Sequence, residues 1–194
     1  MRRPLCTARS PRMFTSIREA LEEYLEAFLI LGLKNMITNN VTRLLDAKKV
    51  PYVAFELPAE KLGAVEAAHY LGIDPNLVYK TIVVVREGKG KPILALVPGP
   101  SEVDLKALAK ALGEKKVHLP TEREAERLTG LQAGGISPLA LLNRGFQVVL
   151  DISAQSHTEI YISGGQRGLD IRLHVQALVT LTNARLAEIA SQSV

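Results

Sequence analysis

The chain has 194 residues, 47% of them hydrophobic and 23% charged, with a net charge of +4. That length and balance suit one globular domain with a real core. The lone cysteine, Cys6, excludes an intrachain disulfide framework and any C-x-x-C zinc or redox motif, so a reducing cytoplasm is the expected compartment.

In chain order, residues 1–13 ("MRRPLCTARSPRM") carry four arginines and no acid. They read as a tail or as a start placed too far upstream, with a transit peptide the less favoured alternative. A helix is expected next, capped by Ser16 with Glu19 closing a capping box, and striped by Ile17, Leu21, Tyr24, Phe28 and Leu31. The apolar run "AFLILGL" (27–33) is too short for a bilayer, which needs roughly 20 residues, and follows acidic rather than basic residues. Neither a membrane span nor a signal peptide is expected. Met36 is a natural alternative start.

From about residue 40 the pattern becomes mixed. "VTRLLDAKK" predicts a helix, "VPYVAFEL" a strand, and "KLGAVEAAHYLG" a helix stopping at Gly72. "VYKTIVVVRE" and "PILALVP" predict strands joined by a hairpin tip at "GKGK". "SEVDLKALAKALG" predicts a helix with Ser101 as cap and Gly113 as stop, and "KVHL" a short strand. "TEREAERLTG" carries a Thr121–Glu124 capping box. Three strands follow in "QVVLDIS", "TEIYISGG" and "LDIRLHV", and "ALVTLTNARLAEIA" predicts a C-terminal helix with a break near Asn183. Strands outnumber those of a strict βαβ alternation. The expected fold is therefore α/β, with a mixed, largely antiparallel curved sheet or partial barrel flanked by helices.

Three features could carry chemistry. Lys80 shares a strand face with Ile82 and Val84, in a run apolar on both faces, so it points toward an interior or its mouth. There it needs an anionic or carbonyl-rich partner; the alternative is a strand-end lysine whose head reaches water. "GGISP" (Gly134 to Pro138) can aim several N–H groups into one concavity suited to a carbonyl oxygen or oxyanion, or it can be an ordinary helix-to-loop turn, which the pattern alone favours. "YISGGQRGLD" (161–170) places Ser163 and Asp170 at strand ends around a glycine-rich bend; by itself it reads as a hairpin connection, since no G-x-G-x-x-G or following helix supports dinucleotide binding. The other signals are weak. "GKGK" lacks P-loop spacing. His69, His118, His157 and His174 are too scattered for a metal site. Ser137 and Ser163 lack a G-x-S-x-G elbow or an assigned base.

Taken in order and spacing, "VYKT", "GGISPL" and "IYISGGQRGLDI" resemble the YbaK family of free-standing aminoacyl-tRNA deacylases, relatives of the editing domain inserted in bacterial prolyl-tRNA synthetases. The resemblance runs from about Val41 to Ala190, which implies an N-terminal extension at 1–39 and a deacylase domain at 40–194. It implies hydrolysis of the ester joining a wrong amino acid to the tRNA 3′ end, with no cofactor. Cysteine on proline tRNA, or another small aminoacyl ester, would be the substrate, and prolyl-tRNA synthetase a possible partner. By this resemblance Lys80, with Thr81 beside it, would bind the terminal ribose or phosphate. Main-chain N–H groups near Gly134, Gly135 and Ile136 would hold the oxyanion in a loop completed by Ser137 and Pro138. Asp170 would accept the substrate's α-ammonium, assisted by Ser163 with Gly164 in the bend. The attacker would be water or the substrate's own thiol. One departure weakens cysteine specificity: Leu57 stands about where many cysteine-specific members carry a tyrosine. A non-catalytic module for a nucleotide or tRNA end, and a small-molecule serine hydrolase using Ser137 or Ser163, are the rival expectations.

Overall fold

The computed structural model describes residues 37–191. The helix expected over residues 16–31 lies outside them. Helix α1 (Asn40–Ala47) starts where Asn39 Oδ1 accepts from the amides of Val41 and Thr42, and it buries Val41 and Leu45. Strand β1 (Tyr52–Glu56) leads to helix α2 (Ala64–Leu71), which stops at Gly72 as expected. Strands β2 (Val78–Arg86) and β3 (Ile93–Pro98) form the expected hairpin, and every residue of β3 is buried.

The next segment departs from expectation. Glu102–Val103 forms a short strand, β4, and helix α3 (Leu105–Leu112) is capped by Asp104 rather than Ser101. The Asp104 carboxylate accepts from the amides of Lys106 (2.8 Å) and Ala107 (3.0 Å), whereas the Ser101 amide is turned back onto the Pro98 carbonyl. Strand β5 (Val117–His118) precedes helix α4 (Glu122–Thr129), whose Thr121–Glu124 capping box is formed. After a 3₁₀ segment at Leu139–Arg144 come β6 (Gln147–Asp151), β7 (Glu159–Ser163) and β8 (Leu169–His174). Helix α5 (Val175–Thr182) follows directly and ends at Asn183, at φ 49°. Beyond it the expected helix does not continue: Arg185–Ala187 and Ala190–Ser191 are strands β9 and β10. Backbone pairing of β9 with β6 and of β10 with β4 overrides the local helical pattern.

The main sheet runs β1-β8-β7-β2-β3-β6-β9, with β5 on β2, while β10 and β4 form a separate ribbon. Pairings are antiparallel except β2–β7, β3–β6 and β6–β9. This is the mixed, largely antiparallel sheet that the pattern predicted, and among the described residues β1 and β9 are its edges. One face packs Tyr79, Leu96, Leu150, Ile162 and Ile171 against α1, α5 and the 3₁₀ segment. The other packs Val84, Ala95 and Val149 against α3, and Val78 and Tyr161 against α2. The β2–β7 pairing is brief, Val78↔Tyr161 and Tyr79↔Ile162. Past that point the two strands part, just as β2 reaches Lys80.

Candidate active site

A cleft of about 180 Å³ opens where β2 and β7 part, and Lys80, Thr81, Gly134, Ile136, Ser163 and Asp170 all line it. Ser163 and Asp170 face each other across β7 and β8, and Lys80 lies in the row that continues the β2–β7 register. Residues distant in sequence thus meet in one place because three neighbouring strands carry them.

Three loops build the mouth. The amide of Leu57 donates to the Gly168 carbonyl (2.9 Å), and Arg167 Nε donates to the Ala133 carbonyl (2.7 Å). Between them the glycine loop turns at Gln132–Gly135. Gly134 sits at φ +85°, a conformation open to glycine at little cost, and the Gly135 amide donates to the Gln132 carbonyl (2.9 Å). Gly135 is therefore corrected as an oxyanion donor: its N–H is engaged in the turn. Its lack of a side chain has another use, since a Cβ there would sit 2.8 Å from the backbone of Gln166 and Arg167. The amides of Gly134 and Ile136 have no hydrogen-bond partner among the described residues.

The polar groups of the cleft are under-partnered in a consistent way. Asp170 is 9% exposed, and its carboxyl group has no ion-pair or hydrogen-bond partner among the described residues. Burial alone pushes it from the ordinary 3.8 up to about 7. Thr81 Oγ1 is buried and has no hydrogen-bond partner among the described residues. Ser163 Oγ accepts only a long 3.4 Å contact from the Gly165 amide. The Lys80 side chain is 23% exposed, and its ammonium bonds Glu102 Oε1 at 2.9 Å. Ser137 and Pro138 do not line the cleft: Ser137 is fully buried beneath the loop, its hydroxyl unpartnered, and Pro138 begins the 3₁₀ segment. Gly164 also lies outside the lining, packed on Leu169. Neither Ser137 nor Ser163 touches an imidazole among the described residues.

Sequence reasoning missed part of the wall. Leu62, Gly63 and Ala67 supply an apolar side beside Leu57, and Glu60 a second acid. Glu102 was missed as the partner of Lys80 because its segment reads as the start of a helix. Only the need of an inward lysine for an anion pointed to such a residue.

Fold and cleft together define an α/β domain in which a lysine, the glycine loop and a buried carboxyl group line one cleft. The chain belongs to the aminoacyl-tRNA editing domain family, which it matches over residues 58–181. It is 37% identical over 161 residues, 82% of this chain and 97% of the other, to an Enterococcus faecalis protein assigned as the Cys-tRNA(Pro)/Cys-tRNA(Cys) deacylase EbsC. It is 28% identical over 120 residues to the proline–tRNA ligase of Thermodesulfovibrio yellowstonii, covering 62% of this chain but 19% of the ligase. A crystal structure assigned as a trans-editing enzyme for prolyl-tRNA synthetase superposes with a TM-score of 0.69 at 28% identity, over 80% of this chain and 99% of that one.

Proposed function

We propose that this chain hydrolyses misacylated tRNA in trans, releasing cysteine from Cys-tRNA(Pro) or another small amino acid from its ester. The observation that carries the proposal is the convergence of Lys80, Gly134, Ile136 and Asp170 on one cleft. The deacylase assignment of the E. faecalis relative supports the reaction class.

In this reading Lys80 holds the terminal ribose or phosphate and orients the ester. The amides of Gly134 and Ile136 receive the carbonyl oxygen as it becomes an oxyanion, each worth roughly 3 kcal/mol when well aimed. Asp170, ionised on meeting a cation, accepts the α-ammonium, with Ser163 beside it. Water adds to the carbonyl carbon, or a cysteine substrate's own thiol does. The ester C–O bond then breaks and the ribose oxygen leaves with a proton. The unpaired serines leave the serine-hydrolase alternative without a base. Proline–tRNA ligase similarity supports prolyl-tRNA synthetase as the partner that delivers substrate, and a cytoplasmic setting goes with translation editing in this reading. Among the described residues no helix is long and apolar enough to cross a membrane. A net charge of +4 fits weak contacts to an acceptor end better than a deep basic groove. The activity is assigned to residues 40–194, with 1–39 as an extension.

The test is a panel of tRNAs charged with cysteine, alanine, serine or proline, incubated with the pure full-length chain. Release of at least one amino acid, reduced about 100-fold or more in Lys80→Ala, is expected. Binding without release would make the protein a tRNA-end module instead.

A further inference from the structure

Lys80 and Asp170 are a cation and a buried acid of one cleft, on strands separated by β7, at a level where β2 has parted from β7. In a site of low dielectric such a pair attracts strongly, and a lysine's flexible four-carbon stem lets its head move toward the acid. A direct pair would neutralise both groups and fill the cleft. The structure shows the opposite arrangement. The ammonium turns to Glu102, outside the cleft lining, and among the described residues Asp170 has no cation partner. Its carboxyl group is shifted by burial with no contribution from a neighbouring charge.

Glu102 is two-thirds exposed, so its bond to Lys80 adds little to stability. Its backbone, however, is firmly held. Strand β4 pairs with β10 through Ala190↔Val103 and Ser191↔Glu102. The Asp104 amide donates to the Ile189 carbonyl at 2.7 Å. The amides of Ile189 and Ala190 in turn donate to the buried Asp151 Oδ2, both at 2.8 Å. This C-terminal ribbon lies beyond residue 181, where the match to the family ends.

We propose that Glu102 is a positioning residue: fixed by the C-terminal ribbon, it draws the Lys80 ammonium to the rim of the cleft and away from Asp170, so that both groups stay open to substrate. The proposal rests on the reading of this cleft as the deacylation site. The other charged groups near Asp170 do not take that role. Glu60 on the cleft wall is an acid, Arg172 on the same strand lies 3.3 Å from Glu159, and the facing residues of β1 and β7 are Phe55 and Ser163.

The experiment compares full-length wild type, Glu102→Gln, Glu102→Ala and Lys80→Ala. Release of amino acid from Cys-tRNA(Pro) and Ala-tRNA(Pro) is followed from pH 5.5 to 8.5, and the ¹³C-carboxyl signal of Asp170 is titrated in each protein. Loss of Glu102 is expected to lower kcat about tenfold with KM within about twofold, at an unchanged melting temperature. The acid limb of the kcat/KM profile and the Asp170 titration should both move to lower pH, because a cation now faces the carboxylate. Glu102→Gln should fall between wild type and Glu102→Ala, and the titration shift should vanish when Lys80 is also alanine. An unchanged Asp170 titration and unchanged kcat, in a protein that Lys80→Ala inactivates, overturns the positioning role and leaves the site standing. A wild-type chain that releases no amino acid overturns the site, and this role with it.

Discussion

Replacing Asp170 with asparagine separates what the carboxyl group does for substrate from what it costs the fold. Asparagine keeps the shape and removes the charge. In the folded chain burial lifts the group to about 7, while in the unfolded chain it titrates near the ordinary 3.8. Between those values the native state binds the proton and the unfolded state does not, so stability falls as pH rises through that window. Once both states are ionised the difference amounts to about 4 kcal/mol as an upper figure. At pH 5 the folded group is still protonated, and about 2 kcal/mol of that loss has accrued. Asp170→Asn should therefore gain stability over wild type as pH rises, by about 3 kcal/mol between pH 5 and pH 8. Urea unfolding followed by circular dichroism at the two pH values reads this directly. The same variant should lose roughly 10- to 100-fold in kcat/KM, the worth of a charge-assisted hydrogen bond to the α-ammonium. A stability gap that does not change with pH would refute the reasoning, since Asp170 would then be ionised or solvated in the folded protein.

Gly135→Ala places a methyl group 2.8 Å from the Gln166–Arg167 backbone, where neither partner is a flexible side-chain end. A loss of about 1–3 kcal/mol by thermal unfolding is expected, with activity lowered as the two mouth loops are forced apart. Asp151→Ala removes the acceptor of the Ser153, Ile189 and Ala190 amides and should cost about 3 kcal/mol or more in urea unfolding. Burial opposes ionisation of Asp151, but hydrogen bonding from the Ser153 side chain together with those amides outweighs it and holds its carboxyl group below the ordinary 3.8. Its contribution is thus present above pH 3.8 and is lost as pH falls through the lower folded value, so wild type and variant should converge in acid.

The parts of the fold that were legible in the sequence are those where local chemistry and tertiary packing agree. The Thr121–Glu124 box, the stop at Gly72 and the apolar hairpin of β2 and β3 each carry a local signal that nothing overrides. The misreadings fall where a short strand is made by a distant partner. Glu102 and Val103 look like a helix start because Asp104 and the leucines after it dominate the window; only β10, nearly ninety residues on, makes them a strand. The segment after Asn183 reads as helix for the same reason. At the site, the strand position of Lys80 pointed to an interior or its mouth and to the need for an anion, but not to Glu102 as that anion. The glycines of 134–135 signalled close approach, and the structure divides the roles: Gly134 makes the turn and Gly135 admits the neighbouring loop. The near-neutral state of Asp170 had no sequence signal, since it follows from burial among residues of four different strands.

The parting of β2 from β7 also bears on when the protein becomes competent. Lys80 is synthesised long before Ser163 and Asp170, and the cleft is bounded by both. A chain still emerging from the ribosome owns the lysine but lacks the opposite bank, so it has no enclosed space to hold an ester. The cleft is complete only once β7 and β8 lie beside β2. A copy lacking those strands has the lysine without the carboxyl group that stands on the opposite bank.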